Sequence, residues 1–185
     1  VYGVRCYEAP STAAFDCDAV LLSVKPQQMR EACMPLPQFL RQQLIISIAA
    51  GLRMADVSRW LGGYSKIVRA MPNTPALVGA GITGLCALPA VSMAERLGAE
   101  RILQSVGNTV WIAEEAKMDA VTAISGSGPA YVFLFIEALQ QAANELGLTP
   151  VQARQLSIDT VLGAAKLASQ SDEAASVLRE RVTSK

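Results

Sequence analysis

Three short apolar runs in this chain end in residues able to hold a ligand. The first ends in Ser23-Val24-Lys25-Pro26-Gln27, the second in Ile48-Ala49-Ala50-Gly51, and the third in Met71-Pro72-Asn73-Thr74-Pro75. Lys25 can reach a phosphate or a carboxylate. Small residues let a backbone approach a flat ring closely. Prolines fix a loop in advance, which lowers the entropy cost of placing a ligand. Asn73 offers both a donor and an acceptor, a match for an amide. A fourth stretch, Ser125-Gly126-Ser127-Gly128 ahead of Pro129, reads as a helix start whose free N–H groups suit an anion.

What is missing narrows the chemistry further. The chain contains no histidine. That excludes Ser-His-Asp and Cys-His triads, H-E-x-x-H zinc sites and histidine proton relays. The four cysteines, Cys6, Cys17, Cys33 and Cys86, form no C-x-x-C pair and no metal-ligand spacing. They read as free thiols of a reducing cytoplasm, and no metal site is expected.

The elements that must position these residues alternate. Ala19–Val24, Leu44–Ile48, Ile67–Met71, Ile82–Leu88 and Val106–Ile112 read as continuously apolar strands. Helical patterns separate most of them: a proline-interrupted one over Gln27–Leu40, then Arg53–Leu61 and Val91–Ser105. Such alternation predicts an α/β fold, a doubly wound and mostly parallel sheet covered on both faces. Sheets of this kind bind ligands beyond the carboxyl ends of their strands, and three such ends together point to a nucleotide crevice. The spacing Gly79-x-Gly81-x-x-Gly84 is not the dinucleotide fingerprint, because it follows a proline kink and leads into a strand rather than a helix.

After Glu114-Glu115 the pattern becomes helical throughout: Met118–Ile124, Pro129–Leu146, Thr149–Ser169 and Asp172–Arg181. Two domains are expected, 1–115 and 116–185, the second all-α. The helix from Pro129 to Leu146 is apolar nearly all round and calls for cover from another subunit.

The 185 residues are 51% hydrophobic and 17% charged, with a net charge of zero. This is a globular composition without a basic block, so neither nucleic acid nor an anionic membrane is the expected partner. No apolar run in the sequence, taken as a run, approaches the length of a membrane span.

The stretches "AVLLSVKPQ", "ISIAAGL", "VRAMPNTPALVGAG", "DAVTAISGSGPAYVF" and the closing "RVTSK" closely resemble pyrroline-5-carboxylate reductase. The resemblance covers the whole chain and is weakest over Val1–Asp16. It implies a Rossmann-type domain followed by an all-α dimerisation domain that interlocks with a second subunit in a homo-oligomer. It also implies reduction of 1-pyrroline-5-carboxylate to L-proline with NADPH or NADH. By position, Ser23, Val24, Lys25, Pro26, Ile48, Ala49, Ala50 and Asn73 correspond to cofactor contacts, and Ser127, Thr183 and Ser184 to substrate contacts. The family pattern opens with a first strand and G-x-G-x-x-G, and continues after "VTS" into a glycine- and threonine-rich loop. This chain reads as lacking both, so no catalytic residue is assigned within it. Arg181 and Lys185 stand where the pattern favours asparagine and proline. Two other readings stay open on the residues alone: a β-hydroxyacid type of nicotinamide-dependent dehydrogenase, and a non-catalytic dimerising fragment.

Overall fold

The computed structural model describes residues 3–183. Its five strands are β1 (Ala19–Leu22), β2 (Leu44–Ser47), β3 (Ile67–Met71), β4 (Gly81–Ala87) and β5 (Gly107–Trp111), and they form one sheet in that spatial order. Pairings β1–β2, β2–β3 and β4–β5 are parallel, whereas β3–β4 is antiparallel. The sheet is therefore mixed, and the reason is local. Parallel neighbours need a crossover of a dozen or more residues. Pro72–Ala80 is shorter than that and holds only a 3-10 turn, Thr74–Val78. Gly79 closes this turn at φ 69°, in the left-handed region, and the chain then enters β4.

The first helical pattern is broken up by its prolines. A 3-10 turn, Pro26–Gln28, leads into the short helix α1 (Met29–Cys33), which ends before Pro35 and Pro37, neither of which can continue a helix. Helix α2 (Met54–Trp60) joins β2 to β3, and α3 (Met93–Gln104) joins β4 to β5. Parallel crossovers are right-handed. Because β4 runs opposite to β3, the same hand sends α3 to the other face of the sheet. The core shows this division. Ile45 and Ile67 pack with Met29, Cys33, Met54, Val57 and Leu61 on the α1–α2 face. Leu44, Ile46, Val68 and Ala70 pack with Ala99 and Leu103 of α3 on the other. Each fully buried side chain of this kind contributes about 1.5–3 kcal/mol.

Beyond β5 the chain forms a 3-10 turn (Glu115–Lys117), α4 (Met118–Val121), a π-helical turn (Thr122–Gly126) and α5 (Gly128–Glu145). Helices α6 (Pro150–Ser169) and α7 (Ala175–Val182) follow. The chain divides into two compact units, Val1–Pro129 and Ala130–Lys185. The π turn thus belongs with the sheet. In the helical unit, Thr149 caps α6 through a reciprocal pair of hydrogen bonds with Gln152, with Pro150 in the first helical position.

Two features add to the sequence reading here. Ser125–Gly128 does lead into a helix, since α5 starts at Gly128, but its N–H groups are not all free: the π turn runs on from α4, and the Ser127 N–H donates to the Thr122 carbonyl at 2.8 Å. The run Glu115–Glu145, 31 residues long, contains an 18-residue stretch of mean hydropathy 1.3, enough by length and composition to cross a membrane. Tyr131, Phe133, Leu134 and Phe135 are all exposed on it.

Candidate active site

Because β1, β2 and β3 are parallel and adjacent, their carboxyl ends lie on one edge of the sheet. The register pairs Leu22 with Ser47 and Ser47 with Arg69. The next residues of each strand therefore emerge side by side: Ser23–Pro26, Ile48–Ala50, and Met71–Asn73. Ser23, Val24 and Lys25 are exposed and Pro26 is half-buried. Lys25 is extended, and its carbonyl accepts from the Gln28 N–H at 2.9 Å, which fixes the loop. Ala49 is buried while Ala50 is exposed, and Gly51 turns the chain at φ 75° with open space where a Cβ would stand.

Asn73 is half-buried at the end of β3. Its Oδ1 accepts from the Ile82 N–H at 2.9 Å, and its Nδ2 donates to the Ser125 carbonyl at 3.3 Å. The acceptor and one donor that suit an external amide are thus engaged within the chain. Through the second bond the π turn joins the same edge of the sheet, and Ser127 follows directly after it. Thr183 lies in the helical unit after α7, where its hydroxyl donates to the Arg179 carbonyl at 2.8 Å. Ser184 falls outside the described residues.

The structure adds residues that motif reading passed over. Arg69, on β3, keeps only 5% of its side chain exposed and pairs with Glu115 at 3.2 Å and Asp119 at 3.6 Å. A buried guanidinium requires such partners, so an arginine inside the apolar run Ile67–Met71 was itself the signal. A cleft of about 380 Å³ opens at this point, lined by Gly51, Arg53, Arg69, Glu115, Ala116 and Asp119. A larger hollow, about 590 Å³, is lined by Arg30, Met34, Pro37, Arg59, Trp60 and Gly62. None of those residues belongs to a strand end, so it contributes nothing to this edge. Ser125 Oγ is buried without a hydrogen-bond partner, the one such side-chain atom among the described residues. Its π turn is a feature often found at functional sites.

Neither buried cysteine is prepared as a nucleophile. Burial pushes the Cys33 thiol up to about 11. Burial, and then the Glu115 charge, also raise that of Cys86. Both stay protonated near neutrality and unreactive. What this edge provides is a row of small, fixed backbone segments, one exposed lysine and a pinned helical turn. That arrangement can orient a ligand.

The family model for pyrroline-5-carboxylate reductase dimerisation matches residues 115–185. The chain is 46% identical over 184 residues to the pyrroline-5-carboxylate reductase of Pseudomonas aeruginosa, covering 99% of this chain and 67% of that protein. The chain belongs to the pyrroline-5-carboxylate reductase family. A second model, described as NADP oxidoreductase, coenzyme F420-dependent, matches residues 1–51. The reductase of Coxiella burnetii superposes with a TM-score of 0.92 at 43% identity, covering 99% of this chain and 68% of that one. The Plasmodium falciparum reductase, solved with NADP bound, gives 0.84 at 32% identity, covering 95% and 70%. The chain thus spans about two thirds of the length of these relatives. Membership in this family sets aside the β-hydroxyacid dehydrogenase reading.

Proposed function

We propose that this chain, as part of its full-length protein, reduces 1-pyrroline-5-carboxylate to L-proline with NADPH or NADH, as a cytoplasmic homodimer. The carrying observation is the convergence of three fixed strand-end loops on one sheet edge in a chain of this family. The residues at that edge fit a nicotinamide dinucleotide. Ala50 and Gly51 leave room for a flat ring against the backbone, and exposed Lys25 can neutralise a phosphate. Ser23–Pro26 and Ile48–Ala50 would hold the cofactor, and Ser127 would face the substrate.

When bound, the reduced nicotinamide supplies a hydride to the imine carbon while the imine nitrogen gains a proton. The chain's own part is orientation, which can supply roughly 7–11 kcal/mol of a barrier reduction in well-aligned systems. A site without histidine or a reactive thiol suffices for that. The four free cysteines agree with a reducing compartment. The test is steady-state oxidation of NADPH and NADH by the full-length protein with pyrroline-5-carboxylate. Oxidation that depends on the imine is expected. No imine-dependent turnover with either cofactor would overturn the reading.

A further inference from the structure

The loop after β2 is held from a distance. Helix α2 begins after Arg53, which makes no side-chain bond to it. The Met54 N–H instead donates to Glu115 Oε1 at 2.6 Å, across 61 positions of sequence. The same oxygen accepts from Arg69 Nη1 at 3.2 Å. Arg69 has little freedom to move, being buried on β3 and braced on its other side by Asp119. One carboxylate therefore joins three parts of the unit: the exit of the Ile48–Arg53 loop, the central strand, and the helical run that carries Ser125–Ser127.

Hydrogen bonds to a charged group are roughly twice as strong as neutral ones. A loop fixed before the ligand arrives binds it with a smaller entropy cost. We infer that Glu115 is a positioning residue for the cofactor: it sets the Ile48–Gly51 loop in its binding conformation. This rests on the reading that the loop contacts a nicotinamide dinucleotide. Glu115 acts through Met54 and Arg69 and touches no ligand itself.

The test uses the full-length protein and two readouts. NADPH affinity is measured by fluorescence titration, and exchange of the Met54 amide is followed by NMR in the ligand-free protein. Glu115→Ala should weaken NADPH binding on the order of tenfold, the scale of one lost charge-assisted bond. It should also speed Met54 exchange and leave kcat at saturation within about threefold of the parent. Glu115→Gln keeps an acceptor oxygen and should restore most of the affinity. Glu115→Asp keeps the charge beside Arg69 but falls short of Met54, so it tests the same point if the alanine variant fails to fold. The inference is overturned if Met54 exchange speeds up while NADPH affinity stays unchanged. It is equally overturned if only the KM for the imine rises, because Glu115 would then contact substrate. Wild-type protein that binds NADPH but reduces no imine would instead sink the reductase reading, while affinity and exchange still judge Glu115.

Discussion

Asn73 Nδ2 donates to the carbonyl of Ser125 across 52 positions of sequence, and Pro129 leaves that carbonyl without its α-helical donor. In an α-helix the Ser125 carbonyl would accept from the N–H of residue 129, but proline has none. The Asn73 amide takes its place and fastens the π turn to the end of β3. Its Oδ1 meanwhile holds the first residues of β4 through Ile82. The stiff Pro72–Pro75 kink thus works as a bracket between sheet and helix.

The bracket predicts a coupled pair. Asn73→Ala should destabilise the protein by about 2 kcal/mol, since two half-buried hydrogen bonds lose a partner. In a Pro129→Ala background, which returns an N–H to the helix, the same substitution should cost about 1 kcal/mol less. Urea denaturation of the four proteins closes the cycle. Equal costs in both backgrounds would show that Pro129 and Asn73 do not serve the same carbonyl.

Two glycines admit the helical run to the sheet, and they should not respond alike. A Cβ on Gly84 would stand 2.6 Å from Val121 Cγ1, while one on Gly126 would meet Met71 Cε at 2.6 Å. Valine is short and stiff about χ1, whereas a methionine end can swing aside. Gly84→Ala should cost about 1–3 kcal/mol, with Val121→Ala restoring part of it. Gly126→Ala should cost less. Thermal melting of the two single variants and the Gly84–Val121 double variant checks the order.

Acid should reveal the tie between α3 and the start of β3. Glu95 accepts from Lys66 Nζ at 2.8 Å, and from the Ser92 N–H and hydroxyl at 2.8 Å each. The Lys66 bond first, and then Ser92, hold its carboxyl down at about 2 against an ordinary 4.5. The unfolded chain therefore takes up the proton first as pH falls. The Glu95 contribution is complete above pH 4.5 and is lost progressively toward pH 2. Its surface position limits it to about 1 kcal/mol. Glu95→Gln should thus be less stable than the parent at neutral pH, and the gap should close between those two values. A gap that stays constant on acidification would refute the assignment.

The end of β2 separates binding from folding. Ala49 is buried and Ala50 is exposed. A bulky residue at 49 would disturb the core, so the clean probe is Ala50→Trp. It should weaken NADPH binding at least about tenfold with a melting temperature within a few degrees of the parent. Unchanged NADPH affinity would remove Ile48–Ala50 from the cofactor site.

The strands were legible because most centre on a short apolar run, and β3 has the bounds its sequence suggests, Ile67–Met71; β5, which carries Asn108 and Thr109, is the least apolar of them. Strand direction was less open to view. The short Pro72–Ala80 connection carried the antiparallel signal, but apolar content alone cannot say which way a strand runs. The three strand ends stood out because each breaks its run with glycine or proline. Glu115 and Ser125 did not, because their partners lie 46 to 61 positions away. Pro129 marked the start of α5 to within one residue, whereas the π turn ahead of it, Thr122–Gly126, gave no sign in the sequence.

Helix α5 makes the last prediction, since its surface allows two partners. Phe133, Leu134 and Phe135 are 64%, 66% and 57% exposed in the single chain. Three consecutive positions cover most of a helix circumference, so one neighbouring helix cannot bury them all. Of lipid and a second copy, the dimerisation model over 115–185 favours the copy. The full-length protein should remain in the aqueous fraction without detergent and sediment as a dimer or a multiple of it. Phe133→Glu should shift it toward monomer by placing a charge in an apolar interface, and Arg59→Glu, on α2, should not. A wild-type protein that needs detergent to stay dispersed would favour lipid.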